Sequence, residues 1–202
     1  LTNAHVVHDV QNAPPLDGLM RQGPAAMKVC FGAAPQNQYD AKVLYSSSSY
    51  DMAVLQVARE FSDPFPLSTK AVAQAEQVVA YGFPGSVMNI ESEANAASIV
   101  QRLGRAGEAG HVSYRDWLPP DAFESVATRG IISSPDRNLQ DVRYHLFDAK
   151  VGPGNSGGPL LRAGGDEVIG IVTLGGTNLD TKDNNYALSL AQLRQELSKW
   201  LP

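Results

Sequence analysis

Short runs of β-forming residues recur from one end of the chain to the other, and that rhythm most constrains the fold. The runs fall at 27–31, 39–45, 53–57, 77–81, 127–132, 144–147, 168–173 and 186–188. Turn-rich stretches at 13–18, 46–49, 82–85 and 175–185 separate many of them. Many short strands with little helix between them predict an all-β sandwich or barrel. The last segment differs. Ser189 followed by Gln192 resembles a capping box, and Leu190, Leu193, Leu197 and Leu201 recur at helical spacing, so 189–202 reads as a helix packed on the last strands. Residues 86–125 break the rhythm with an Ala-, Ser- and Gly-rich stretch, helix-like over 91–103, that is too long for a routine loop.

A chain of 202 residues holds one large domain or two lobes sharing a core. Its 43% hydrophobic and 18% charged residues belong to an ordinary globular protein. A net charge of -5 and no Lys/Arg stripe argue against a nucleic-acid partner. No apolar run reaches the roughly 20 residues that span a bilayer. Cys30 is the single cysteine, so no intrachain disulfide forms. Folding by packing alone fits a bacterial or organellar protein better than a cross-linked animal secreted one. The chain opens on Leu1 with no export signal in view, so sequence alone assigns no compartment.

The sharpest local feature is Gly154-Asn155-Ser156-Gly157-Gly158-Pro159-Leu160. A serine hydroxyl attacks a carbonyl only when a base removes its proton, and the oxyanion that develops needs donors aimed at it. Flanking glycines let the backbone turn tightly and leave amide N–H groups free to face a cavity. A phosphate-binding loop is the alternative, but the Lys-Ser or Lys-Thr ending of a P-loop is absent. The string also matches G-x-S-x-G, the nucleophile elbow of α/β-hydrolases, whose histidine follows the serine. Here His5, His8, His111 and His145 all precede Ser156, which excludes the elbow.

The base must then lie upstream. His5 sits in the strand-like segment Leu1-Thr2-Asn3-Ala4-His5-Val6-Val7. The third member is a carboxylate that fixes the imidazole tautomer and stabilises the imidazolium. Asp51 stands just before the apolar run Met52-Ala53-Val54-Leu55, which would bury it, whereas Asp40 precedes the less apolar Ala41-Lys42. Each residue taken singly has a bland reading: a packed strand-end histidine, a turn acid, a structural glycine loop. The ordered set His, Asp, Ser is far more specific.

These motifs together resemble the trypsin-like serine proteases, most closely the HtrA/Deg family. Leu1-Thr2-Asn3-Ala4-His5-Val6-Val7 is similar to that family's histidine motif and Asp51-Met52-Ala53-Val54-Leu55 to its aspartate motif. The run from Phe147 to Leu160 is similar to its serine motif, and Val168 to Thr173 and Tyr186-Ala187-Leu188 to its last strands. The resemblance implies two six-stranded antiparallel β-barrels of chymotrypsin type with a triad of His5, Asp51 and Ser156 between them. It implies an oxyanion hole from the Gly154 and Ser156 amides. Thr173, Leu174 and Gly175 would pair with an extended substrate backbone by β-augmentation, which selects unfolded or flexible polypeptide segments. The activity implied is a serine endopeptidase working through an acyl-enzyme. A catalytically idle binding or chaperone-like module is the alternative from another class, and an esterase shares the acyl chemistry. A bacterial periplasmic, secreted or organellar setting goes with the resemblance; an oligomer is compatible with it.

The domain reading is 1–75 for the first barrel, 76–188 for the second with its insertion at 86–125, and 189–202 for the closing helix. The family form has further strands ahead of the histidine motif, so the first barrel lacks its N-terminal strands here and residues before Leu1 are expected to complete it. The insertion stands where the family carries a loop that orders the active site, and reads as a lid, a docking surface, a latch or a simple decoration. Lys150, six residues before Ser156, falls at the base of the primary specificity pocket, where an ammonium favours acidic side chains unless its stem carries it to solvent. Cys30 reads as core filler. No histidine has a ligand-spaced partner, and the 180–184 run lacks EF-hand spacing, so neither metal nor cofactor is expected.

Overall fold

The structure is a computed structural model and describes residues 1–12, 27–30, 38–47, 49–83, 125–173 and 184–200. Nine strands and two helices account for most of them, in agreement with an all-β chain closed by a helix. The helices are α1 (Ala4–Asn12) and α2 (Leu190–Leu197). The strands are β1 (Lys28–Cys30), β2 (Gln38–Ser47), β3 (Met52–Val57), β4 (Gln77–Gly82), β5 (Val126–Leu139), β6 (Val142–Phe147), β7 (Pro159–Arg162), β8 (Val168–Thr173) and β9 (Asn185–Ser189).

Strands β4 to β9 close an antiparallel barrel in the order β4-β5-β6-β9-β8-β7. Its lumen is filled by Val78, Ala80, Ile132, Phe147, Ala149, Leu160, Ile169, Val172 and Ala187, all 2% exposed or less. This matches one of the two expected six-stranded barrels. The N-terminal residues form a three-stranded antiparallel sheet, β1-β2-β3, and not a closed barrel among the described residues. Thr2 extends it by a single antiparallel bridge to Ala53.

Four elements depart from the sequence reading. Residues 4–12 form α1 and not the strand expected around His5. After the Thr2 bridge, Ala4 and Val7, 5% and 3% exposed, fall on one helical face, so packing overrides the β-preference of Val6-Val7. Strand β5 runs on through Ser133, Ser134 and Pro135, because register shifts between Ile132 and Arg137 take up the residues that would break an even ladder. Strand β7 was hidden inside the serine motif and opens on Pro159, where a missing N–H harms least. Finally, α2 is present but the Ser189–Gln192 capping box is not: Ser189 makes no side-chain cap bond. Gln192 instead accepts from the Arg143 amide at 2.6 Å and donates to the Asp141 carbonyl at 2.9 Å, tying the helix to the β5–β6 turn.

A second core joins the two units. Met52 and Val54 of β3 pack with Val142, Leu161, Val168, Ile171 and Leu188 on the barrel and with Leu190, Leu193 and Leu197 of α2. The connection from β3 to β4 is stitched to β8 through Ser68 N–H to the Val168 carbonyl (2.8 Å) and Val168 N–H to the Pro66 carbonyl (2.9 Å). This shared core fixes the start of β3, and hence Asp51, against the end of β8.

Candidate active site

Asp51 is the last residue of the turn joining β2 to β3 and carries a left-handed backbone (φ 49°) that an aspartate tolerates. Its carboxylate faces the first turn of α1. Oδ1 accepts the His5 backbone N–H at 2.9 Å, and Oδ2 lies 2.8 Å from His5 Nδ1. One carboxylate thus grips both the backbone and the ring of the same histidine. With Nδ1–H donating to Oδ2, the ring is left with Nε2 as its free acceptor, the tautomer a general base requires. The two side chains are 42% and 35% exposed, so the pair stands at the surface and not in the core.

Two further polar groups converge on Asp51. Asn3, wholly buried, donates from Nδ2 to the Asp51 carbonyl at 2.9 Å. Thr173, 8% exposed at the end of β8, directs its hydroxyl to Asp51 Oδ2 at 3.4 Å. The sequence reading placed Thr173 on the substrate strand; its side chain also links the barrel to the acid of the N-terminal unit. Leu174 and Gly175, the other expected substrate-strand residues, lie outside the described residues.

The Ser156 loop joins β6 to β7 and is pinned from both sides. Gly157 N–H donates to the Val172 carbonyl (2.9 Å), and Gly158 N–H to the Asn155 carbonyl (3.0 Å). Asn155, 2% exposed, accepts the Gly152 N–H through Oδ1 (3.1 Å) while its own N–H returns to the Gly152 carbonyl (3.0 Å), closing a small ring that shapes the turn. Gly157 has φ +86°, and a Cβ there would overlap Thr2 Oγ1, so only glycine lets this loop lie against the segment that leads into His5. Gly154 is exposed with φ +98°. Among the described residues the amides of Gly154 and Ser156 donate to no acceptor, and no hydrogen bond links Ser156 Oγ to His5 Nε2.

Of the expected triad, His5 and Asp51 are joined directly, and the loop that carries Ser156 rests through Gly157 against Thr2 and Asn3, the residues that lead into His5. The sequence reading did not single out Asn3 or Asn155; both lay inside quoted motifs, where a small buried amide beside the functional residue was the available signal. Lys150 is exposed, and its carbonyl accepts the Thr128 hydroxyl at 2.6 Å. His145 is buried in the barrel with Nδ1 against the Pro135 carbonyl, and burial pushes its pKa below the ordinary histidine value. Among the described residues no group of three His, Cys, Asp or Glu side chains forms a metal cage. Cys30's side chain, His111, the 180–184 run and nearly all of the 86–125 insertion lie outside the described residues.

Residues 1–171 match the family model of the trypsin-like peptidase domain. Over 74 residues (33% of this chain) the sequence is 38% identical to a protein of Ectopseudomonas mendocina named as a probable periplasmic serine endoprotease DegP-like. Over 119 residues (55% of this chain) it is 32% identical to the human serine protease HTRA4. The matched stretches span 15% and 24% of those two proteins' own lengths. Among solved structures, the active form of the Rv3671c protease from M. tuberculosis superposes with a TM-score of 0.63, covering 98% of this chain and 67% of that one at 20% identity, which supports the shared fold. No described helix is long and apolar enough to cross a membrane. The chain belongs to the trypsin-like peptidase domain family, and parts of it are similar to serine proteases of the HtrA/DegP kind.

Proposed function

We propose that the domain is an endopeptidase that cleaves unfolded or flexible polypeptide segments through His5, Asp51 and Ser156. The observation that carries this reading is the double grip of Asp51 on His5, which leaves Nε2 as the acceptor of the ring; the packing of the Ser156 loop against residues 2 and 3 supports it. Ser156 Oγ attacks the substrate carbonyl carbon as its proton passes to His5 Nε2. The new oxyanion accepts from the Gly154 and Ser156 amides. Collapse breaks the C–N bond, and His5 gives its proton to the leaving amine, leaving an acyl ester on Ser156. Water deprotonated by His5 then attacks the ester carbon, and the proton returns to Ser156 Oγ as the acid leaves.

An extended substrate pairs with the chain that continues from Thr173, so selection acts on backbone accessibility more than on one side chain. A fluorophosphonate probe tests the chemistry: it labels the wild-type domain at one serine, and Ser156→Ala abolishes labelling and casein hydrolysis while the protein still folds. A binding-only module would leave the wild type unlabelled.

A further inference from the structure

We propose that Asn3 is a positioning residue for this reaction, holding the Asp51 peptide so that its carboxylate faces the ring of His5; the inference rests on the triad reading above. Asn3 Nδ2 bonds the Asp51 carbonyl at 2.9 Å across 48 residues of sequence, and among the described residues it is the one side-chain donor on that carbonyl. The peptide it holds belongs to a residue at φ 49°, a left-handed conformation that an aspartate tolerates without favouring, so a bond to its carbonyl helps to fix that peptide. Rotation of that peptide would swing Cα–Cβ and move both carboxylate oxygens, which bond His5 N at 2.9 Å and Nδ1 at 2.8 Å.

Two observations separate this role from ordinary core packing. First, Asn3 Oδ1 is buried with no hydrogen-bond partner among the described residues. A buried amide with one orphaned end is a poor stabilising choice, because the unpaired oxygen loses its hydration for nothing in return. Second, Asn3 lies at the crossing of all three site segments. It follows Thr2, which pairs with Ala53 in both directions (Thr2 N to Ala53 O 3.1 Å, Ala53 N to Thr2 O 2.8 Å), and precedes α1. Its backbone nitrogen lies 3.2 Å from the place a Gly157 Cβ would take, so the nucleophile loop rests against the main chain of the same residue.

Asn3→Leu keeps the branched shape and heavy-atom count while removing both the useful donor and the orphaned acceptor, and its thermal midpoint is measured beside its activity so that overpacking at this buried site is separated from the loss of the bond. Asn3→Ala provides the same readouts should the leucine variant fail to fold. Active sites are titrated by fluorophosphonate labelling, and kcat per labelled site and KM are measured on fluorescein-labelled casein. The far-downfield proton resonance of the His5 Nδ1–H···Asp51 bond is followed in the same samples. The expected result is a fall in kcat per site of about tenfold with KM unchanged, because Asn3 is buried away from substrate, together with a displaced or broadened downfield proton. A wild-type kcat per labelled site, or a fall in kcat with the downfield proton unmoved, would overturn this inference alone. A wild-type protein that takes no label at Ser156 would overturn it together with the triad reading.

Discussion

Gly157 is the residue on which the nucleophile loop's approach to the histidine segment depends, since a methyl group there meets Thr2 Oγ1 and a left-handed backbone at once. Gly157→Ala should push the Ser156 loop away from residues 2 and 3 and lower kcat/KM by at least about tenfold at unchanged KM for binding-only contacts, read by steady-state hydrolysis per folded molecule. Thr173→Val removes a longer and weaker contact to Asp51 Oδ2, and kcat should fall roughly threefold. Lys150 stands in water, where screening weakens its field; Lys150→Ala should leave cleavage preference at physiological salt almost unchanged, and a lost preference for acidic residues in a cleavage profile would return it to the pocket. The three proposed site residues could be singled out because each sits in a short motif whose residue types state a chemical task, and the structure joins two of them, His5 and Asp51, directly. Its supports were not: the Asn3 and Thr173 contacts to Asp51 span 48 and 122 residues, and no local pattern encodes them. His145 gives the pH dependence. Burial holds its folded pKa below the ordinary value of about 6.5, so as pH falls through that value the unfolded chain takes up a proton that the native chain refuses. Stability should therefore drop from about pH 6.5 downward, by at most about 1.4 kcal/mol per pH unit from this group, until the folded value is reached. Urea midpoints between pH 7.5 and 5.5 should fall for wild type and fall less for His145→Gln.

Among the elements, strands with plain alternation were readable and strands with interruptions were not. Strand β8 is buried at every position, so its apolar run was visible; β5 carries Pro135 in its middle, and only the partner strand β6 shows how the ladder survives it. The segment carrying His5 reads as extended from Val6-Val7, yet one bridge at Thr2 ends the strand and burial of Ala4 and Val7 favours a helical turn. The β3–β4 connection has no regular structure to announce it, and a single side chain on β7 organises it. Arg162, 18% exposed, pairs with Glu76 and with Glu167 (Nε to Oε2 3.2 Å) and donates to the carbonyls of Lys70 and Ala71, both at 3.0 Å. Its guanidinium fork serves acceptors that a lysine would meet one at a time. Arg162→Ala should cost about 2 kcal/mol in urea unfolding and loosen residues 68–76 to limited proteolysis, whereas Ser156 labelling per folded molecule persists. Arg162→Lys should recover only part of the loss.

At the scale of the molecule, the expectation of two matching barrels meets one closed barrel and a three-stranded sheet, and the joint between them matters more than the symmetry. Met52 and Val54 enter a core whose other buried members come from barrel strands and α2, so the sheet that leads from Asp51 shares its main apolar cluster with the barrel. The same joint is closed on its far side by Tyr45, which stacks on Trp200 at 5.5 Å and donates to Glu196 at 2.7 Å. Two units that bury one core unfold together, because opening either exposes the apolar surface of the other. Met52 is 0% exposed, and Met52→Ala should destabilise the whole domain by about 2–5 kcal/mol. The transition should remain single, with intrinsic tryptophan fluorescence and the capacity for Ser156 labelling lost at the same urea concentration. Labelling lost well before the fluorescence change would mean that the sheet undocks while the barrel stays folded, and that the site depends on a looser interface than this shared core describes.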